Sequence, residues 1–78
     1  MLVAGQDLKI LWASHPDRDG ILLEFWRSAD NQQILDVFCG EDGSMELTTW
    51  QQDVPVAIVE AAIAMGRTEG PRAADIQP

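Results

Sequence analysis

Cysteine is nearly missing from this chain. Cys39 is the only one, so no internal disulfide framework can staple the fold. Tyrosine is absent, lysine occurs once as Lys9, and histidine once as His15. No apolar run approaches the ~18 residues that a membrane span needs. The opening MLVAGQDLK lacks a basic leader and meets Asp7 early, so no signal peptide is expected and the cytoplasm is the expected compartment. No G-x-S-x-G, H-E-x-x-H, glycine-rich phosphate loop or C-x-x-C occurs. Bases are scarce too. None lies between Arg27 and Arg67, a stretch that holds Asp30, Asp36, Glu41, Asp42, Glu46, Asp53 and Glu60. A field of that sign repels phosphate backbones, which speaks against direct nucleic-acid binding.

What is present is an ordinary small globular composition. The 78 residues are 46% apolar and 23% charged, and 13 acids against 5 bases give a formal charge of −8. Such a surplus keeps a small domain soluble, and it also attracts a basic partner and speeds the encounter. A single α+β domain over 1–67 is expected, followed by a tail over 68–78, TEGPRAADIQP, without periodicity and without order.

Four runs carry the fold. Residues 7–13 are short and apolar, with an alternation that favours a strand. Residues 21–29 and 33–39 are rich in aromatic and branched side chains and read as strands, with Asp30-Asn31 as the reversal between them. The GEDGS turn leads to a further strand over 45–50. A two-residue turn there would pair Cys39 with Glu46. A three-residue loop with Gly43 left-handed pairs Cys39 with Met45 and Val37 with Leu47, placing apolar on apolar, and is the expected register. Residues 53–67 read as a helix with Asp53 as N-cap, Pro55 in the first turn and Gly66 as the stop.

The expected architecture is therefore an antiparallel three- to four-stranded β-meander with one C-terminal helix packed on one face. Ile21, Leu23, Phe25, Leu35, Val37, Cys39, Met45 and Leu47 would form the core against that helix. The opposite face receives Leu22, Glu24, Trp26, Ile34, Asp36, Phe38, Glu46, Thr48 and Trp50. One helix covers one face only. The open side of an antiparallel sheet is ordinarily polar, whereas this one is expected to carry two tryptophans, a phenylalanine and two aliphatics among three acids. Exposed apolar patches of that kind mark interaction sites, and Trp dominates many of them. Three covers are open at this point: residues 1–13 folded over the face, a second copy of the chain, or another protein.

Catalytic and metal-binding readings are weaker. The run His15-Pro16-Asp17-Arg18-Asp19-Gly20 is faintly like the start of a calcium loop. With Gly20 as the invariant glycine, however, glutamate would be needed where Trp26 stands. Cys39 and His15 could in principle pair as nucleophile and base, but Cys39 falls on the expected core face. Glu24 and Asp36 can face each other across the open sheet, yet acid–base catalysis also needs a concave site. No enzyme activity, metal or cofactor is expected.

The hairpin Phe38-Cys39-Gly40-Glu41-Asp42-Gly43, followed by Asp53-Val54-Pro55 opening a helix that runs through Ile58, Val59, Glu60 and Ala61, resembles small acidic bacterial immunity proteins and similar toxin-neutralising modules. The resemblance covers about half the chain. It implies an acidic binder that blocks a basic enzyme, and the expectation here is a non-enzymatic bacterial or phage module whose partner is a protein with a basic surface. The MbtH-like proteins share a meander-plus-helix plan, but their Ser-x-Trp-Pro signature is absent. The residues expected to touch a partner are Leu22, Glu24, Trp26, Ile34, Asp36, Phe38, Glu46 and Trp50. The alternative is a homodimer held through the same face, with no membrane contact in either case.

Overall fold

Period-two alternation of apolar side chains organises most of the chain, and strands form where it holds. The computed structural model describes residues 1–76, with side chains described through Thr68. The strands are β1 (Leu2–Val3), β2 (Gln6–Ser14), β3 (Gly20–Arg27), β4 (Gln32–Gly40) and β5 (Met45–Thr49), and α1 spans Val56–Ile76. All neighbours are antiparallel in the order β1-β2-β3-β4-β5. The expected meander with one helix on one face is what forms, with the two-residue β1 added at its edge. Ala4 and Gly5, both with positive φ (51° and 74°), make the tight reversal from β1 to β2.

Residues 1–14 thus extend the sheet and do not fold over its open side. Leu8, Ile10 and Trp12 share the helix-side face with Arg27, Phe25 and Leu23, their pairing partners. The loop after β4 adopts the bulged register: Cys39 pairs with Met45, Val37 with Leu47, and Gly43 takes φ 88°.

The core joins Leu8, Leu23, Phe25, Ile34, Leu35, Val37 and Cys39 to Ile58 and Ala62 of α1. Two expectations about single residues are corrected here. Met45, expected in the core, lies at its rim and is 36% exposed. Ile34, expected on the open face, is buried on the helix side. The register shifts between Phe25 and Trp26, which pair with Leu35 and Gln33 and leave Ile34 as an extra residue. A bulge of this kind breaks the alternation. Ile34 and Leu35 therefore both enter the core.

The helix also departs from expectation at both ends. It begins after Pro55, whose carbonyl accepts from the N–H of Ile58 (3.0 Å) and Val59 (3.3 Å). The residue before a proline is driven to extended backbone, so Val54 stays outside the helix. Asp53 takes a left-handed φ of 55° two residues ahead of Pro55 and is not the N-cap. At the other end α1 continues past Gly66. A Cβ on Gly66 would stand 2.7 Å from Met45 Cε and 3.0 Å from Val37 Cγ1. The missing side chain lets helix and sheet approach closely; it does not stop the helix. The segment expected as a tail without order, 68–78, is instead helical backbone through Ile76, and residues 77–78 lie outside the described residues.

Candidate partner-binding face

Parity along the strands sets the face opposite the helix. β2 contributes Lys9, Leu11 and Ala13, β3 contributes Leu22, Glu24 and Trp26, β4 contributes Gln33, Asp36 and Phe38, and β5 contributes Glu46 and Thr48, with Trp50 next in line. The described residues include no second helix to cover it.

The face divides into two halves. At one end the loop between β2 and β3 folds over Phe38. The Arg18 guanidinium carbon lies 4.0 Å from the Phe38 ring centroid, and the His15 ring meets it edge-on at 5.2 Å. Gly20 and Gly40 flank the ring so closely that a Cβ on either would meet it. Phe38 is consequently buried. A cation over an aromatic face is favourable in itself, and Arg18 is held there by a 2.6 Å ion pair to Glu46. The hydrogen bond from Arg18, and then its charge, holds the Glu46 carboxyl below the ordinary glutamate range. In the adjoining turn, the Ser44 hydroxyl (2.7 Å) and backbone N–H (3.0 Å) donate to Asp42 Oδ1. Those bonds hold Asp42 below the ordinary aspartate range. A groove of about 360 Å³ opens here, lined by Arg18, Asp19, Phe38, Gly40, Glu41, Asp42 and Ser44.

The other half stays open. Trp50 is 58% exposed, and its indole Nε1–H donates to Asp36 Oδ2 at 3.0 Å. Asp36 itself is buried, and Gln33 Nε2 makes a longer approach of 3.5 Å to the same oxygen. A buried carboxylate needs donors, and here two neutral N–H groups supply them. Trp26 is half-buried and donates from Nε1 to Glu24 Oε1 at 3.2 Å. Each indole therefore has its polar edge tied to a carboxylate, with the ring of Trp50 exposed and that of Trp26 partly so. This arrangement pre-orders both tryptophans at little entropic cost on binding.

Of the residues anticipated at a partner surface, Leu22, Glu24, Trp26, Asp36, Glu46 and Trp50 share this face. Phe38 shares it but lies under the chain's own loop, and Ile34 belongs to the core. The anticipated set lacks several contributors: Lys9, Leu11 (41% exposed) and Ala13 reach the face through the β2–β3 pairing, and Gln33 reaches it through the shifted register opposite Trp26. Arg18 comes from a loop and has no periodic signal.

His15 accepts at Nδ1 from the Asp17 N–H at 3.0 Å, closing its turn. Cys39 is buried, its Sγ 3.6 Å from the Gly66 carbonyl, and burial pushes the thiol up from its ordinary value. The two side chains lie on opposite faces of the sheet, Cys39 with the core and His15 against Phe38, so they do not form a nucleophile–base pair. Among the described residues no three His, Cys, Asp or Glu side chains converge on a common point. No helix there is long and apolar enough to cross a membrane. Comparison with protein-family models, with curated proteins and with solved structures returned no match.

Proposed function

We propose that this chain is a non-enzymatic protein-binding module. It engages a basic protein surface through Trp26 and Trp50, with Leu11 and Leu22 beside them and Glu24 and Glu46 supplying charge. One observation carries the reading: an exposed indole, Trp50, is locked to a buried carboxylate, Asp36, on a sheet face that no helix among the described residues covers. Rigid aromatic anchors rimmed by acids suit a partner with lysine or arginine around an apolar patch. An inhibitor or immunity role of the kind implied by the sequence resemblance is one task such a surface would perform. Self-association through the same face is disfavoured, because it would set Glu24 and Glu46 of one copy against the acids of the other.

The test is capture of partners by the wild-type chain beside Trp26→Ala, Trp50→Ala and Glu60→Gln, the last on the helix's exposed side. A specific partner should be basic, and either tryptophan change should weaken its binding by about 2 kcal/mol. Rising salt should weaken it further, while Glu60→Gln has no effect. Binding that ignores both tryptophans, or loss of the fold in either variant, would reject the reading.

A further inference from the structure

We infer that a second copy of this chain pairs with the outer edge of β2, joining two sheets into one across a two-fold axis at Trp12. This inference does not depend on the reading of the open face.

The backbone gives the geometry. Leu8 exchanges hydrogen bonds with Met1, donating from its N–H at 2.6 Å and accepting at its carbonyl at 2.9 Å. The even-numbered residues of β2 therefore direct their backbone groups outward. The odd-numbered ones direct theirs to β3: Asp7 accepts from the Ser28 N–H, and His15 donates to the Gly20 carbonyl. β1 pairs only at Gln6 and Asp7, so among the described residues nothing takes the outward groups of Ile10, Trp12 and Ser14. Such an edge is a template for another strand, and proteins ordinarily blunt it with charge, proline or a bulge. This one carries a single charge, Lys9, which is drawn away to Asn31 Oδ1 at 2.9 Å.

A second copy fits because the free window is symmetric. In an antiparallel pairing centred on Trp12, that residue faces its own copy and Ile10 faces Ser14. Every outward N–H and C=O of the three residues then finds a partner. Leu11 and Trp12, 41% and 44% exposed, stand on opposite sides of the edge; in this register Trp12 lies beside its own copy and Leu11 beside Ala13 of the second chain. Among the described residues this edge is occupied only as far as Leu8, by Met1, and the loop after Ser14 folds back over Phe38, away from the edge.

Charge selects the same edge. On a chain of net charge −8, the stretch from Leu8 to His15 holds no acid. The opposite edge, β5, carries Glu46 and follows Glu41 and Asp42, so two copies meeting there would repel. An interface of one strand is small, which places its affinity at the weak end of specific contacts. Because the two chains repel at long range, added salt should strengthen the pairing. The basic-partner contact responds to salt in the opposite sense, which keeps the two proposals separable.

Sedimentation equilibrium on the intact chain from about 10 μM to about 1 mM should show a monomer–dimer equilibrium that tightens with salt. Trp12→Lys, which sets two like charges across the axis, should weaken it at least about tenfold. Residues facing each other in a hydrogen-bonded antiparallel pair lie about 5.5 Å apart at Cα, within disulfide range. Oxidised Trp12→Cys should therefore form a covalent dimer, and Thr48→Cys on the open face should not. The cysteine variant leaves the backbone intact, so it decides the matter even if lysine lowers stability. A chain that stays monomeric to about 1 mM, or one that links through Thr48→Cys and not through Trp12→Cys, overturns the inference.

Discussion

Ile34→Ala bears on which residues belong to the candidate face at all. Simple alternation from Leu35 would turn Ile34 outward, beside Trp26 and Trp50. The bulge opposite Phe25 turns it inward instead, against Ile58 of α1, and leaves it 2% exposed. Truncation to alanine removes three carbons. At roughly 0.8 kcal/mol for each, the lost burial alone is about 2.4 kcal/mol. A partly collapsed cavity adds to this, giving about 3 kcal/mol, within the range for such core truncations. For a domain of this size that corresponds to a fall in Tm of roughly 12–24 °C. Urea titration followed by tryptophan fluorescence, with far-ultraviolet circular dichroism as a second probe, reads the change directly. A loss below about 0.5 kcal/mol, the ordinary size for a surface change, would mean that Ile34 is exposed and the bulge is absent.

Three further outcomes follow from the packing and charges. Gly66→Ala gains about 1 kcal/mol of helix propensity but drives a methyl against Val37 Cγ1 at 3.0 Å; denaturant midpoints should show a net loss of up to about 2 kcal/mol, turning to a gain in a Val37→Ala background. Asp30, Asp42 and Glu46 are all held below their ordinary values, 3.8 for Asp and 4.5 for Glu, in the folded chain. Their contribution is therefore present above those values and lost as pH falls through and below them. Urea midpoints from pH 6 down to about 2.5 should decline, and Arg18→Ala should flatten the part due to Glu46, by little at high salt because these groups are exposed. Cys39, buried and with its thiol pushed up, should resist alkylation in the native chain and react on unfolding; a native rate equal to that of a free thiol would place it at the surface.

Much of this fold is legible in the order of residues. The register of β4 on β5 follows from Gly43, the glycine of GEDGS placed to close a three-residue loop with positive φ, together with the apolar match of Val37 with Leu47 and Cys39 with Met45. The helix's buried positions Ile58 and Ala62 follow from their spacing, whereas Gly66 reads as a stop and is instead a point of close approach to the sheet. What escapes is what depends on contact between distant segments. Nothing local marks Ile34 as an inserted residue, since a bulge asks only that the partner strand lack a counterpart. The cover over Phe38 is built by Arg18 and His15 from a loop, with Gly20 and Gly40 close against the ring. The two-residue β1 buries too little to leave a pattern. Of the anticipated face, Leu22, Glu24, Trp26, Asp36, Glu46 and Trp50 were readable by parity. Leu11 and Lys9 needed the β2–β3 register, and Phe38 could not be known as buried without the loop.

The most direct measurement is chemical-shift mapping on isotope-labelled chain titrated with the basic partner that it captures. The expected result is that the indole N–H resonances of Trp26 and Trp50 and the amides of Leu11 and Leu22 move together, while those of α1 from Val56 to Thr68 stay in place. Shifts confined to the helix, with both indoles unmoved, would contradict the assignment of binding to the uncovered side of the sheet.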